Sequence, residues 1–183
     1  MQSYNATISA CCSGGQAQQG LQLLGVMRAA SVAPDGVTYS ALLDGLQAAG
    51  LEADADIVYA AAESEGAMQH WMKTGRKAST LDFHEHTTGS VMAAMRLVLR
   101  EMQQHKAQSS SRHVHDPCRD LHIITGHAEG RGKGGSVLQP VITTMLQELG
   151  IEGSVDLANR GMLLVNSEQL QAFIARENGA NKK

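Results

Sequence analysis

The sequence predicts an α+β protein in which α-helical hairpin repeats, a fragment of an α-solenoid, precede a two-layer α/β sandwich. Two observations lead to this prediction. Residues 1–70 contain an internal sequence repeat with a period of 35 residues, and their apolar side chains follow helical spacing. From residue 81 the pattern changes, and short β-rich segments alternate with amphipathic helices in the order β-α-β-α-β-β-α. That order predicts a mixed sheet of about four strands with helices on one face.

The internal repeat is seen by aligning the chain with itself. SYNATISACCSGG (3–15) pairs with TYSALLDGLQAAG (38–50), so that Tyr4 aligns with Tyr39. The first copy continues at helical spacing as far as a Pro-Asp-Gly turn at 34–36. Each unit is therefore predicted to be a helix, a short glycine break, a second helix and a turn. Because two units bury little surface, we expect either further repeats before residue 1 or packing of both units on the C-terminal domain.

The second half is predicted to be a separate domain over 81–176, after a linker at 71–80 and before a frayed tail at 177–183. Its first strand is LDFH (81–84), and the segment 87–90 offers an N-cap for the helix that follows. The remaining predicted elements are a polar loop (104–119), a buried strand (120–126), a Gly-rich loop (127–135), a helix ending at Gly150, two strands joined by a turn at 159–161, and a last helix capped by Ser167.

The composition narrows the classes of protein and ligand that fit the chain. The formal net charge is −3, so a nucleic acid would have to be bound by local basic patches. Aromatic residues make up 3%, too few for an aromatic base-stacking platform. Three cysteines fit no metal motif, which predicts free thiols in a reducing compartment. No membrane partner is expected because no apolar run is long enough to span one, and no secretory signal or transit peptide is visible.

The candidate catalytic residues lie on the first predicted strand of the second half. Asp82 and His84 are two positions apart, so on a strand both side chains would point to the same face. Such a pair can act as general base and proton donor, or Asp82 can hold a divalent metal ion against a phosphate. Mg²⁺ or Mn²⁺ is therefore a candidate cofactor, and no organic cofactor is expected. A zinc site built from His84, His86, His122 and His127 is disfavoured because their spacing is irregular and no cysteine joins them in a metal motif.

The loop at 127–135, HAEGRGKGG, is predicted to bind phosphate. It lies between a predicted strand and a predicted helix, whose N-terminus and backbone amides favour an anion. Arg131 and Lys133 add positive charge for phosphate contact. The loop is not a Walker loop, because the pattern GxxxxGK[ST] is absent.

Residues 1–70 resemble pentatricopeptide repeats. The resemblance rests on the 35-residue period, the TYSALL pattern and the Pro-Asp turn. In that family, each unit contacts one base of single-stranded RNA through a polar residue on its first helix and another at the end of the unit. The resemblance implies that Asn5 and Asp35 contact one base, a pyrimidine with uracil first, and that Ser40 and His70 form a second pair whose base is not readable.

Residues 81–176 resemble the Smr domain, the small MutS-related nuclease fold. Three motifs carry the resemblance: LDFH at 81–84 matches LDxH, Thr125-Gly126 followed by SVLQP at 136–140 resembles TGxG followed by SVLxP, and Asn159-Arg160-Gly161 resembles a late N-x-G turn. In the family, the Asp and His of LDxH are associated with endonuclease activity, and the TGxG loop with nucleic-acid contact. Ala128 stands in place of the second TGxG glycine, which bears on cleavage more than on RNA binding.

The resemblance thus implies catalytic roles for Asp82 and His84. It also implies nucleic-acid contacts by Thr125, Gly126, His127, Arg131 and Lys133.

Taken together, the two resemblances predict an RNA-binding protein of organellar RNA processing, in the chloroplast or alternatively the mitochondrion. The repeats would contact single-stranded RNA, and the Smr-like domain would act as a metal-dependent endonuclease. Two alternatives remain open: a non-catalytic nucleic-acid-binding adaptor in organelle gene expression, and a protein that nicks DNA.

Overall fold

A computed structural model of the chain describes residues 2–69, 71–74, 78–104, 118–126 and 136–180. The chain divides into two compact units, Met1–Gln69 with His86–Ala94, and His70–Glu85 with Met95–Lys183. The helices are α1 (Gln2–Ser13), α2 (Ala17–Ala29), α3 (Gly36–Ala48), α4 (Glu52–Ser64), α5 (Thr88–Gln104), α6 (Leu138–Glu148) and α7 (Ser167–Ala180). The strands are β1 (Trp71–Thr74), β2 (Ala78–Asp82), β3 (Asp120–Ile124), β4 (Ser154–Val155) and β5 (Met162–Val165).

The first unit contains the two helical hairpins that the repeat predicts, α1 with α2 and α3 with α4. Gly15 and Gly50 stand at equivalent repeat positions between the paired helices, with φ of +74° and +69°. Only glycine adopts this left-handed conformation at little cost, which explains why each hairpin turns there. The hairpins share a core of fully buried side chains that includes Ile8, Met27, Tyr39, Leu42, Leu46 and Tyr59.

The second helical hairpin is also joined to the first through polar groups. The guanidinium of Arg28, on α2, donates hydrogen bonds of 2.8 Å to the Tyr39 hydroxyl and 2.6 Å to Glu65 Oε1, at the end of α4. The Tyr39 hydroxyl in turn donates to the same carboxylate. Because Arg28 and Glu65 are each 41% exposed, we expect this network to align the hairpins more than to add much stability.

The second unit contains a mixed sheet in the order β1-β2-β3-β5-β4. β2 and β3 are parallel, and the other neighbouring strands are antiparallel. Buried and half-buried residues alternate along β2, β3 and β5, so one face of the sheet is covered and the other is half-exposed. The second unit thus contains the small mixed sheet that the sequence predicts.

The structure differs from the predicted elements at several places, among them the predicted strand LDFH (81–84), because β2 begins at Ala78 and ends at Asp82. The segment predicted as a linker, 71–80, contains β1 and the start of β2, so the described sheet has five strands instead of four. At the C-terminus, α7 continues to Ala180, into the predicted tail. The cap of α7 is Asn166 and not Ser167, because Asn166 Oδ1 accepts a 3.0 Å hydrogen bond from the Gln169 amide.

None of the helices within the described ranges has the length and apolar character required to cross a bilayer.

Candidate nucleic-acid interface

The predicted base-contacting residues Asn5 and Asp35 lie together in the first unit. Asn5 Nδ2 is 3.1 Å from Asp35 Oδ1 and 3.2 Å from Oδ2. Because an ionised carboxylate only accepts hydrogen bonds, the amide nitrogen of Asn5 must face it. The amide oxygen then accepts from the Thr38 hydroxyl at 2.6 Å. Asn5 is therefore held in a single amide orientation by Asp35, at the end of its own repeat, and by Thr38, at the start of the next.

Asp35 has a second role, as the N-cap of α3. Its Oδ1 accepts a 2.9 Å hydrogen bond from the backbone amide of Thr38, which forms a capping box with it. Partial desolvation by itself would raise the pKa of Asp35, but the hydrogen bonds from Thr38 and Asn5 outweigh it and hold the pKa below its usual range. Asp35 is therefore a charged, fixed acceptor beside Asn5.

The Asn5 amide keeps hydrogen-bonding capacity for a ligand. One Nδ2 hydrogen is directed to Asp35, and one Oδ1 lone pair is used by Thr38. A second hydrogen and a second lone pair remain, and the side chain is half-exposed. An adjacent donor and acceptor is the pattern that pairs with the hydrogen-bonding edge of a nucleobase.

The second predicted pair is described only in part. Ser40 is half-buried on α3, at the repeat position equivalent to Asn5. His70 lies outside the described residues, as do His127, Arg131 and Lys133 of the predicted phosphate loop.

In the second unit, Asp82 and His84 contact each other directly. His84 Nδ1 is 2.7 Å from Asp82 Oδ1, and the same oxygen accepts a 3.1 Å hydrogen bond from the His84 backbone amide. The sequence predicts that both side chains point to the same face of a strand, but only Asp82 lies on the strand. β2 ends at Asp82, so the side chains meet through an Asx turn and not through the pleat of a strand.

This contact sets the chemistry of the imidazole. Because the carboxylate accepts, Nδ1 carries the hydrogen, which leaves Nε2 as the basic nitrogen of the neutral ring. The hydrogen bond and the charge of Asp82 raise the pKa of His84 above its ordinary value. The His84 side chain is 52% exposed, so Nε2 is accessible to a ligand, with Glu85 Oε1 at 3.5 Å.

The other motifs of the second unit come together beside this pair. β2 and β3 run parallel, so Gly126, just after β3, lies against His84 with a φ of +78° that favours glycine. Thr125 donates from its amide (2.8 Å) and its hydroxyl (3.1 Å) to the carbonyl of Gly161. The Ser136 hydroxyl donates to the Thr125 carbonyl at 2.6 Å.

The start of α6 belongs to the same edge of the sheet. Its N-cap is Val137, whose side chain cannot accept a hydrogen bond from the first amides of the helix. Free amides at a helix N-terminus suit an anion such as phosphate. The edge therefore places an exposed imidazole, a glycine in a left-handed conformation and a helix N-terminus near each other.

The described residues do not by themselves form a metal cage. No three His, Cys, Asp or Glu side chains among them are grouped so that they could hold an ion. Asp82 already uses Oδ1 for two hydrogen bonds to His84, which leaves Oδ2 for any divalent ion. A Mg²⁺ ion bound there would depend mainly on water and substrate phosphate oxygens.

Two functional candidates were missed by the sequence reasoning. Thr38 is fully buried and orients Asn5. Its position three residues after the N-cap residue Asp35 is a capping signal that could have indicated its role from the sequence. Glu85 lies near the imidazole but is 84% exposed, and nothing in its sequence position distinguishes it from other surface carboxylates.

A comparison with curated proteins found no significant similarity. Residues 2–47, by contrast, match the PPR repeat family. The matched segment contains α1, α2 and nearly all of α3, and with them Asn5, Asp35 and Thr38. The N-terminal part of this chain is therefore similar to the PPR repeat family, as its period and Pro-Asp turn predict.

Proposed function

We propose that this chain binds single-stranded RNA through its helical repeats and cuts or clamps that RNA with its second unit. The PPR repeat at 2–47 indicates an RNA-binding protein. The observation that carries the proposal is the Asn5–Asp35–Thr38 cluster, because it holds a half-exposed amide in one orientation within the matched segment. An amide that is already fixed in one rotamer loses little side-chain conformational entropy when it hydrogen-bonds to the edge of a base.

In this proposal Asn5 contacts the base, and Asp35 and Thr38 position Asn5. Uracil offers an N3–H donor beside carbonyl acceptors, which complements the remaining lone pair and hydrogen of the Asn5 amide. The preference for a pyrimidine, uracil first, rests on the resemblance of the repeat to its family.

The binding proposal is tested by RNA titration. Asn5→Ala should weaken binding of a uracil-rich single strand by about tenfold, since a good bidentate hydrogen-bonded pair between a side chain and a base is worth ~1–3 kcal/mol. Gln18→Ala, which removes an exposed amide from α2, is the matched control and should bind like the wild type. Equal affinity of both variants at low salt would contradict a role for Asn5, and no affinity of the wild type for RNA would overturn the proposed function.

The cleavage part rests on the Asp82–His84 pair and on the resemblance of 81–176 to the Smr domain. With Nδ1 held by Asp82, His84 Nε2 takes the proton of a ribose 2′-hydroxyl, and the 2′ oxygen attacks the adjacent phosphorus. The P–O5′ bond breaks, the leaving oxygen takes a proton from water, and the hydroxide that remains takes back the proton held on His84 Nε2. The products are a 2′,3′-cyclic phosphate and a 5′-hydroxyl, so no co-reactant is consumed. The N-terminus of α6 lies where its amides would stabilise the phosphate charge.

A requirement for Mg²⁺ or Mn²⁺ is a separate part of this proposal. It is tested by incubating the chain with labelled RNA in EDTA and with each metal. His84→Gln should abolish cutting and Asp82→Asn should reduce it, whereas His122→Gln, a histidine change on β3, should leave it unchanged. Cutting in EDTA would assign the step to the side chains, and cutting only with metal would assign it to an ion at Asp82.

Two alternatives are separated by the same experiment. RNA binding without cutting, equal in the wild type and His84→Gln, favours a non-catalytic adaptor, for which Ala128 in the TGxG position is the sequence argument. Nicking of DNA, which has no 2′-hydroxyl, favours the DNA-acting protein. A place in the chloroplast, or alternatively the mitochondrion, is also proposed from the resemblance and is tested by imaging the full-length protein as a fluorescent fusion.

A further inference from the structure

The loop between β4 and β5 presents an apolar side chain to solvent. Leu157 is 97% exposed, more than any other large apolar residue that the structure describes. A single exposed leucine is common on protein surfaces and means little by itself. Whether the exposure of Leu157 indicates a binding role depends on how rigidly the loop is fixed, on the neighbouring side chains, and on the position of the loop in the sheet.

The loop is held by its own polar groups. Asp156 Oδ1 accepts a 2.8 Å hydrogen bond from the Ala158 amide, and Asn159 Oδ1 accepts one of 3.1 Å from the Gly161 amide. These are two successive Asx turns. Leu157 is the central residue of the first turn, which directs its side chain away from the bonds that fix the backbone.

The second turn presents a cation in the same way. Arg160 is its central residue and is exposed. Backbone hydrogen bonds from Asp156 to Met162 (3.0 Å) and from Met162 to Asn159 (2.9 Å) close the base of the loop. An apolar side chain and a guanidinium are thus displayed three residues apart on a braced loop.

The loop lies at the edge of the sheet that carries His84. β5 is antiparallel to β3, with Ile124 opposite Met162, so the loop meets the carboxyl end of β3. Thr125 confirms this with its two hydrogen bonds to Gly161. Asp82, Ile124 and Met162 are in register across three strands, so two strand spacings of about 4.8 Å separate the strand ends next to His84 and the loop by roughly 10 Å. Val137, 74% exposed at the start of α6, adds a second apolar group to this edge.

We propose that the loop Asp156–Gly161 splays the RNA strand beside the cleaved bond. Leu157 inserts between two neighbouring bases, and Arg160 binds the phosphate that joins them. An apolar wedge that unstacks bases and an arginine that holds the backbone are a recurrent pair in nucleic-acid binding. A protein partner fits less well, since Thr125 links the loop at Gly161 to Ser136, beside the N-terminus of α6 that is proposed to bind phosphate. The inference rests on the proposed RNA cleavage at His84 and adds the residues that present the bond.

The wedge is tested with single-stranded RNAs that each carry one 2-aminopurine at a different position. Its fluorescence rises when a base is unstacked. The wild-type chain should raise the signal at one or two neighbouring positions, and Leu157→Ser should lose that rise while binding RNA nearly as tightly. Ile57→Ser, at a 69% exposed apolar site on α4, is the matched control and should keep the rise.

Arg160 is tested by salt dependence and kinetics. Arg160→Gln should lower the slope of log Kd against log salt by about one, because one phosphate contact is lost, whereas Leu157→Ser should leave that slope unchanged. Cleavage by Leu157→Ser should fall about tenfold in kcat with little change in KM, because stacking positions the bond after binding.

The outcomes separate this inference from the proposed function. Fluorescence and cleavage equal in Leu157→Ser and the wild type would overturn the wedge while RNA binding and cutting stand. If Ile57→Ser also lost the rise in 2-aminopurine fluorescence, the wedge would again be overturned, because the unstacking would then not depend on the loop Asp156–Gly161. Failure of the wild-type chain to bind RNA would overturn both proposals together.

Discussion

Replacing Gly45 by alanine should force α1 and α3 apart. Gly45 lies on α3 against Cys12 of α1, and both residues are buried. A Cβ atom at Gly45 would stand 2.5 Å from Cys12 Cβ and 2.8 Å from its Sγ. Optimal separations between such atoms are about 3.5–4.0 Å, so the helices would have to separate by roughly 1 Å.

The expected magnitude follows from two opposing effects. Overpacking a buried contact costs ~1–3 kcal/mol, whereas alanine gains ~1 kcal/mol over glycine in a helix interior. Gly25, in the interior of α2, is the control, because a Cβ there meets nothing within 4 Å. Gly25→Ala should therefore raise the free energy of unfolding by ~0.5–1 kcal/mol. The gain is common to both variants, so the difference between them measures the cost of the close contact alone.

Urea unfolding followed by circular dichroism at 222 nm gives both free energies. Gly45→Ala should unfold at lower urea than Gly25→Ala, with a difference of ~1–3 kcal/mol and unchanged m-values. Equal stabilities of the two variants would refute the close approach of α1 and α3, and with it the geometry that brings Asn5 of α1 to Asp35.

Three further predictions concern the polar clusters. The pKa of His84 should lie above 6.5, and Asp82→Asn should lower it in an NMR titration. Protonated His84 beside Asp82 stabilises the folded state, and this contribution is fully present below about pH 6.5. It is lost as the pH rises through the pKa of His84 in the folded state. Equal pH slopes of the free energy of unfolding in the wild type and Asp82→Asn would contradict the contact between the two residues. Ionised Asp35 stabilises the folded state above pH 3.8, and this contribution is lost as the pH falls through its lowered pKa in the folded state. Asn5→Ala removes one hydrogen bond to the carboxylate, so the midpoint of acid unfolding should move to higher pH. An unchanged midpoint would count against the contact between Asn5 and Asp35. Thr38→Val should cost roughly 1–2 kcal/mol in urea unfolding, because a buried hydroxyl no longer donates to the Asn5 oxygen; a cost near zero would argue against that bond.

The helical half could be predicted from the sequence because its signals are local. A repeat of 35 residues, apolar positions at helical spacing and glycines at Gly15 and Gly50 each act within one hairpin. The Asp35 cap is likewise local, since it acts on an amide three residues away. The match of 2–47 to the PPR repeat family confirms this interpretation for that segment.

The sheet was predicted less completely because strand pairing is not local. β1 is four residues long, and its sequence, WMKT, has no alternation strong enough to mark a strand. It becomes a strand through antiparallel pairing with β2, in which Met72 lies opposite Leu81. An edge strand of this kind is stabilised by hydrogen bonds to the neighbouring strand, so the residue pattern of 71–74 by itself predicts a linker.

The sequence by itself predicted helical repeats followed by a region with a small mixed sheet, and it predicted the residue pairs Asn5–Asp35 and Asp82–His84 as candidates. It did so because periodicity and motif spacing are properties of neighbouring residues. Only the tertiary structure decided that Thr38 orients Asn5, that the His84 side chain is 52% exposed, and that Leu157 stands in solvent at the same sheet edge. Those facts depend on which surfaces remain uncovered after the elements pack, and burial is set by the whole fold.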